Sequence, residues 1–402
     1  MIKHSAIIPL IGGELLGSID AFGNDPEYIL SYEAFWANDR HIVNRLSNVP
    51  YIVLDKGGSL PSRKVDVVSS VCPCAGLSML SHGYGDHNQN NRWMIESTEY
   101  VLSNVRPKVL WGENSPHFAG KIGNTVRNEL REIGKKYGYT MSVYRTKSIL
   151  HGIPQVRERS FYFFWKDSRT PILGYYKREY QKIEDLLTSV KSNFQTDVIN
   201  KKTPSKDDPY YRFILEEMFG GISHREFSEK YMIELEVRSN DVQSFIENAG
   251  IRYETVSKFF KKIGFDEEAK RGLKKQEKLD AGGNIMRRGT IVPKDHIGAF
   301  VGHYPNMLTH PLEDRYINYR EAMTIMGLPQ DFELLDPRKS TNHICQNVPV
   351  GTARDMATEI SKYLDGKLEY ASTDYLFQYN QGQKMIFGDN MKSTKSRELD
   401  LS

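Results

Sequence analysis

The sequence contains no run approaching the roughly 18 apolar residues that a bilayer-spanning helix needs, which argues against a membrane protein. It has only three cysteines, Cys72, Cys74 and Cys345, in 402 residues. That excludes a disulfide framework and suits a reducing, cytoplasmic compartment. Cys72 and Cys74 stand one residue apart, so they do not form the CxxC spacing of a redox or zinc pair, and no metal is expected. Net charge is only +3, so the chain does not announce a polyanion binder by its sum of charges. Internal repeats and low-complexity tracts are missing too, which removes solenoids and disordered scaffolds from consideration. The apolar opening Ala6-Ile7-Ile8-Pro9-Leu10-Ile11 lacks a basic flank and a cleavage site. It reads as a first buried strand rather than a leader peptide.

What is present is an alternation. Ile7 to Ile11, Tyr28 to Glu33, Tyr51 to Asp55, Val65 to Val71, Lys108 to Glu113, Tyr139 to Tyr144 and Ser160 to Trp165 are short apolar runs with strand character. Helical patterns occupy about 34–47, 91–104 and 121–137; in the last, Val126, Leu130 and Ile133 recur at helical steps. This rhythm predicts an α/β fold, a doubly wound and mostly parallel sheet whose ligands sit at the carboxyl ends of its strands. Asp55, Cys74 and Glu113 fall at those ends. From about 167 to 300 charge density rises and helical pieces replace strands, which predicts a smaller second domain. A basic stretch from Lys258 to Lys294 could track a phosphate backbone or simply form a solvated helical face. The expected division is 1–166, 167–300, 301–366 returning to the first domain, and a polar, loosely attached tail over 367–402.

Three segments carry candidate chemistry. In Val71-Cys72-Pro73-Cys74-Ala75-Gly76-Leu77-Ser78 a strand delivers a thiol onto a loop, where it could act as a nucleophile or be a small buried hydrophobe. The polar, glycine-rich stretch Ser81 to Asn88 behind it reads as a lid or an ordinary surface loop. Glu113, followed by Asn114 and Ser115, places a carboxylate at another strand end, where a dry cleft can turn it into a proton donor; a helix cap or surface carboxylate is the plainer reading. In Gly152-Ile153-Pro154-Gln155-Val156-Arg157-Glu158-Arg159-Ser160-Phe161 two arginines two residues apart project to one face and offer forked donors, or else form surface ion pairs.

Taken in order, these segments resemble the DNA cytosine-5 methyltransferase family over roughly residues 5–165 and 302–363. The family's Pro-Cys-Gln-x-Phe-Ser loop is similar to Pro73 through Ser78, its Glu-Asn-Val to Glu113-Asn114-Ser115, and its Gly-x-Pro-Gln-x-Arg-x-Arg-x-Phe block to Gly152 through Phe161. Downstream, His310-Pro311, Arg315, Arg320-Glu321-Ala322, Met326-Gly327-Leu328-Pro329 and Asp331-Phe332 resemble the next motif, and Gln346-Asn347-Val348-Pro349-Val350 the last.

The resemblance implies a Rossmann-like fold, S-adenosylmethionine as methyl donor, and cytosine in double-stranded DNA as substrate. It assigns catalysis to Cys74, Glu113, Arg157 and Arg159, and donor binding to Ile8, Gly12, Gly13, Glu33, Asp55, Pro73 and Asn347. Ser78, Asn114 and Gln155 would meet the substrate. Residues 167–300 would be the target-recognition domain of a monomer working in a bacterial or phage-infected host. The chain departs from the family where Ile8 replaces an aromatic, Leu10 a glycine, Ala75 a glutamine, Leu77 an aromatic and Ser115 a valine. The first two bear on donor affinity and identity. Other readings at this stage are a tRNA-directed enzyme, whose Cys-Phe-Thr signature is absent, a non-catalytic DNA-binding relative, and an enzyme of this fold using a different donor.

Overall fold

The computed structural model describes residues 1–77, 85, 88, 90–193, 197, 203–231, 242–287, 290–300, 307–388 and 397–398. Strands β1 (His4–Ile7), β2 (Ile29–Ser31), β3 (Tyr51–Val53), β4 (Val67–Ser70), β5 (Val109–Asn114), β6 (Thr140–Lys147) and β7 (Glu158–Trp165) fall where the apolar runs predict them, β1 excepted. A short pair, β8 (Thr170–Pro171) and β9 (Tyr370–Ala371), lies apart. Strands β10 (Tyr375–Asn380), β11 (Met385–Gly388) and β12 (Arg397–Glu398) complete one ten-stranded sheet, in the order β12-β11-β10-β6-β7-β5-β4-β1-β2-β3. Neighbours from β3 to β5 run parallel, and β7 runs antiparallel between β5 and β6. The chain reverses its winding between β1 and β4, so this is where such a sheet opens a ligand crevice.

The first strand ends earlier than the apolar run suggests. It is His4–Ile7, not Ile7–Ile11, because Ile8 (φ 53°) and Leu10 (φ 51°) adopt left-handed backbone on either side of Pro9. Bulky residues pay a steric penalty there, and the turn they build hands the chain to helix α1 (Gly13–Phe22). Helices α2 (Trp36–Arg45), α3 (Asn90–Tyr100) and α4 (Asn124–Lys136) supply the following crossovers.

Between β8 and β9 come α5 (Ile183–Thr188), α6 (Pro204–Asp207), α7 (Pro209–Phe213), α8 (His224–Tyr231), α9 (Val242–Asn248), α10 (Tyr253–Lys262) and α11 (Asp266–Asp280). Tyr211, Phe227, Val256 and Phe260 from this region form an apolar cluster distinct from those under the sheet. The chain then returns through α12 (Tyr319–Ile325), α13 (Pro337–Gln346) and α14 (Val350–Leu364). The contact of α14 with α1 is close: a Cβ on Gly17 would sit 2.6 Å from Ala353 Cβ.

The polar tail is a correction. Far from being loosely attached, β10 pairs in parallel with β6, and Tyr375, Leu376 and Phe377 are buried. Its polar residues are buried too, because they satisfy backbone groups. Gln378 accepts from Leu173 N at 3.0 Å and donates to Leu173 O at 3.0 Å, and Asn380 donates to Tyr176 O. A composition that looks solvated is thus spent on internal hydrogen bonds.

Candidate active site

Glu113 stands one residue before the end of β5, opposite Phe161 in the β5–β7 ladder, and is 2% exposed. Two residues before Phe161, Arg159 brings its Nε to 2.6 Å from Glu113 Oε1. The arginine is itself held, donating from Nη1 to Glu158 O at 2.7 Å. Glu158 in turn is fixed by Arg145 at 2.9 Å and by the Tyr379 hydroxyl, so the supposed tail strand β10 braces this wall. A charge pair this dry persists only because each partner compensates the other.

The two arginines of the Arg-x-Arg motif do different work. Arg157 is almost fully buried, and its Nη1 donates to Phe300 O at 2.9 Å. Gln155, also buried, accepts from Phe300 N at 3.0 Å and donates toward Met326 Sδ at 3.1 Å. Both backbone groups of Phe300 are therefore gripped. Val156 N donates to Ile297 O and Ile297 N to Pro154 O, which completes the clamp on the segment returning from the helical region. Of the two arginines, Arg159 is the one that meets the Glu113 carboxylate.

The Cys74–Leu77 turn follows β4, which ends at Ser70, after Val71, Cys72 and Pro73. The side chains of Cys74 and Ala75, and all of Ser78, lie outside the described residues. The turn is tied to the carboxylate strand: Ser115 Oγ donates to Leu77 O at 3.0 Å. Ser115, a departure from the family pattern, thus has a structural use. Asn114 is turned inward, its Oδ1 accepting from Ser115 N, and Pro73 is half-buried. Cys72 is a packed thiol, with Sγ 3.4 Å from both Ser70 Oγ and Ser97 Oγ, and burial pushes its pKa up. It is not a nucleophile.

Across the switch point lie the residues expected to hold a donor. Gly12 caps α1 with φ 101°, and Gly13 N donates to Asn347 Oδ1 at 2.8 Å. A Cβ on Gly13 would come within 2.1 Å of Val348 O, so the last motif packs on the first with no room for a side chain. Asn347 Nδ2 is buried and has no hydrogen-bond partner among the described residues. Beyond β2 and β3, Asp55 Oδ1 accepts from Glu33 N at 2.9 Å, and the exposed Glu33 carboxylate reaches Lys56 at 2.7 Å. This is a fit for a nucleoside with an amino-acid tail: two carboxylates side by side for hydroxyl and amine groups, a side-chain-free turn, and an amide N–H still to be satisfied. Ile8 is the exception. It is fully buried in the sheet core, where it offers no face to a ligand.

Sequence reasoning missed Glu14. This carboxylate is 0% exposed; Oε1 accepts from Ser70 N at 2.9 Å and Oε2 has no hydrogen-bond partner among the described residues. Burial, aided by the charge of Glu113, raises its pKa well above the usual carboxylate range. An acid in the first turn of a helix is ordinarily a surface residue serving the helix dipole, so nothing in the pattern singled it out. Among the described residues no cluster of His, Cys, Asp or Glu could hold a metal ion, and no helix is long and apolar enough to cross a membrane.

The family model for C-5 cytosine-specific DNA methylases matches residues 22–362. The chain belongs to that family. The methylase therefore transfers a methyl group from S-adenosylmethionine to C5 of cytosine in DNA. In fold it is similar to a prophage-encoded protein from E. coli described as a DNA modification methyltransferase, with a TM-score of 0.56 and 16% identity, covering 91% of this chain and 100% of that one. It is also similar to the Entamoeba histolytica methyltransferase EhMeth, with a TM-score of 0.55 and 12% identity, covering 90% and 99%. No curated protein sequence matches it.

Proposed function

We propose that the methylase works through a transient bond between Cys74 Sγ and C6 of a cytosine flipped out of double-stranded DNA. The observation that carries this is the buried Arg159–Glu113 pair at the end of β5, with the Cys74 turn bound to the same strand end through Ser115. Cytosine accepts a nucleophile at C6 only when N3 is protonated. Glu113, once it has taken up a proton from solvent, passes it to N3 as Cys74 thiolate adds to C6, and electron density moves to C5. S-adenosylmethionine, when bound, supplies the methyl group. Loss of the C5 proton to a base in the site then expels Cys74 and restores the ring. Arg159 meets the base carbonyl. Gln155 and Arg157 keep the wall in place from behind. Gly12, Gly13, Glu33, Asp55 and Asn347 hold the donor.

A stacked base hides C6, so the target must leave the helix at a cost of a few kcal/mol. Residues 167–300 take the role of target recognition, and the enzyme acts as a monomer in the cytoplasm of a bacterial or phage-infected cell. The helical region supports this in its charges. Lys262, Lys270 and Arg271 are consumed by ion pairs, whereas the exposed Lys258 and Lys261 of α10 and Lys274 and Lys278 of α11 have no ion pair among the described residues. Such lysines suit phosphate contacts.

The test is a duplex carrying 5-fluorocytosine, incubated with the enzyme and S-adenosylmethionine. A covalent complex that disappears in Cys74→Ala is the expected result. Duplex binding without trapping, or trapping on tRNA only, overturns the proposal.

A further inference from the structure

The amino-terminal ends of the strands, opposite the catalytic centre, carry a concentration of charge that methyl transfer does not use. Lys3 immediately precedes β1, Lys64 lies three residues before β4, and Lys108 immediately precedes β5. These strands are neighbours in the order β5-β4-β1. With Arg63 and Arg106 these lysines line a cavity of about 760 Å³. Its lining holds five cations and one carboxylate, Asp66, a surplus larger than the +3 net charge of the whole chain.

The internal ion pairs leave most of that charge uncompensated. Asp66 binds Lys108 at 3.0 Å, and Arg63 reaches Glu27, outside the lining, at 3.5 Å. Lys3, Lys64 and Arg106 have no ion pair among the described residues. Arg106 is brought to the rim by an unusual piece of backbone. A π-helical turn, Val101–Val105, ends on Arg106 at φ 53°, and Nε donates to Ser103 O at 2.8 Å. Left-handed backbone at a bulky residue and π-turns both concentrate at functional sites. Between the cations the lining is mixed, with Leu60 and Val65 apolar and Ser62 and Asn104 polar.

We propose that this cavity binds a small phosphate-bearing anion. Unpaired lysines and a pinned guanidinium converging on a concavity match phosphate oxygens through charge-assisted hydrogen bonds. The volume falls in the range of small-molecule sites, roughly 300–1,000 Å³. The mixed walls accept a bare polyphosphate or one carrying a ring. A duplex is a convex rod, and the strand ends proposed to process it lie at the opposite edge of the sheet.

The test is calorimetric titration of the full chain with ATP and, separately, with inorganic tripolyphosphate, each with the donor pocket saturated by S-adenosylhomocysteine. Both probes are expected to bind, and the exposed pair Lys64→Ala/Arg106→Ala should weaken them by about tenfold or more through loss of two charge-assisted contacts. Lys339→Ala, on a distant exposed turn of α13, should leave them unchanged. Tighter ATP than tripolyphosphate assigns the cavity to nucleotides, and equal affinity assigns it to polyphosphate; both uphold the proposal. No heat from either probe at about 1 mM, where even weak sites register, overturns it. So does undiminished binding by the double variant, or a double variant that loses duplex affinity while keeping ATP.

Discussion

The two halves of the strand-end crevice are built in different ways. The half proposed to take the base, at the ends of β4, β5 and β7, rests on the dry ion pair of Arg159 with Glu113, surrounded by residues that hold other residues. The half proposed to take the donor, at the ends of β1, β2 and β3, rests on shape: a glycine turn pressed against Asn347 and Val348, and two carboxylates near solvent. Charge in a low dielectric tolerates no substitution, whereas a shaped backbone tolerates changed side chains as long as the turn survives. That difference explains how Ile8 and Leu10 could depart from the family while Glu113 and Arg159 did not.

The comparison is broken most severely at the base half. Cys74→Ala should reduce methyl transfer by about 10⁴-fold or more, as loss of a nucleophile does, with S-adenosylhomocysteine binding retained in calorimetry. Glu113→Gln should slow single-turnover methylation by about 10²–10⁴-fold, the span of general acid catalysis; an unchanged rate would remove Glu113 from the chemistry. Arg159→Ala leaves a buried carboxylate alone and should lower unfolding stability by about 3–5 kcal/mol in a urea melt.

The donor half should respond through packing. Gly13→Ala forces a methyl against Val348 O, costing about 1–3 kcal/mol of overpacking and weakening S-adenosylhomocysteine binding together with thermal stability. Ile8→Val should cost about 0.5–1.5 kcal/mol, the usual price of one buried methyl, with donor affinity unmoved. A tenfold loss of donor affinity there would show that Ile8 touches the ligand after all.

The smallest effect lies where the halves meet. Glu14, its carboxyl near the β4 end and under the field of Glu113, has a folded-state pKa raised above its unfolded value of about 4.5. Its contribution is fully present below that unfolded pKa and is lost as pH rises toward the folded one. Glu14→Gln should therefore be more stable than the parent at pH 8, and the difference should vanish near pH 4. Parallel melting curves at both ends of that window suffice; a pH-independent difference would mean that Glu14 does not titrate on folding.

Much of this arrangement was legible beforehand. Six of the first seven strands were readable from apolar runs, since a strand buried on both faces needs continuous hydrophobicity, as β7 shows with Phe161 to Trp165 all fully buried. The separate roles of Arg157 and Arg159 were not legible, because two residues at strand spacing look alike until a carbonyl at Phe300 claims one and a carboxylate claims the other. The β10 strand was misread for a related reason: Gln378 and Asn380 advertise solvent but serve backbone groups distant in sequence.

By itself, then, the order of residues determined the winding of the sheet and singled out the thiol, acid and arginine proposed to perform the chemistry. These follow from local periodicity and from motifs whose residue types carry that chemistry. Tertiary structure alone decided which polar groups are partnered, that Cys72 is packing, that Ile8 faces the core, and that β10 braces the wall carrying Arg159 and Glu113. Each depends on contacts between residues far apart in the chain, and burial sets their energies only once those residues have met.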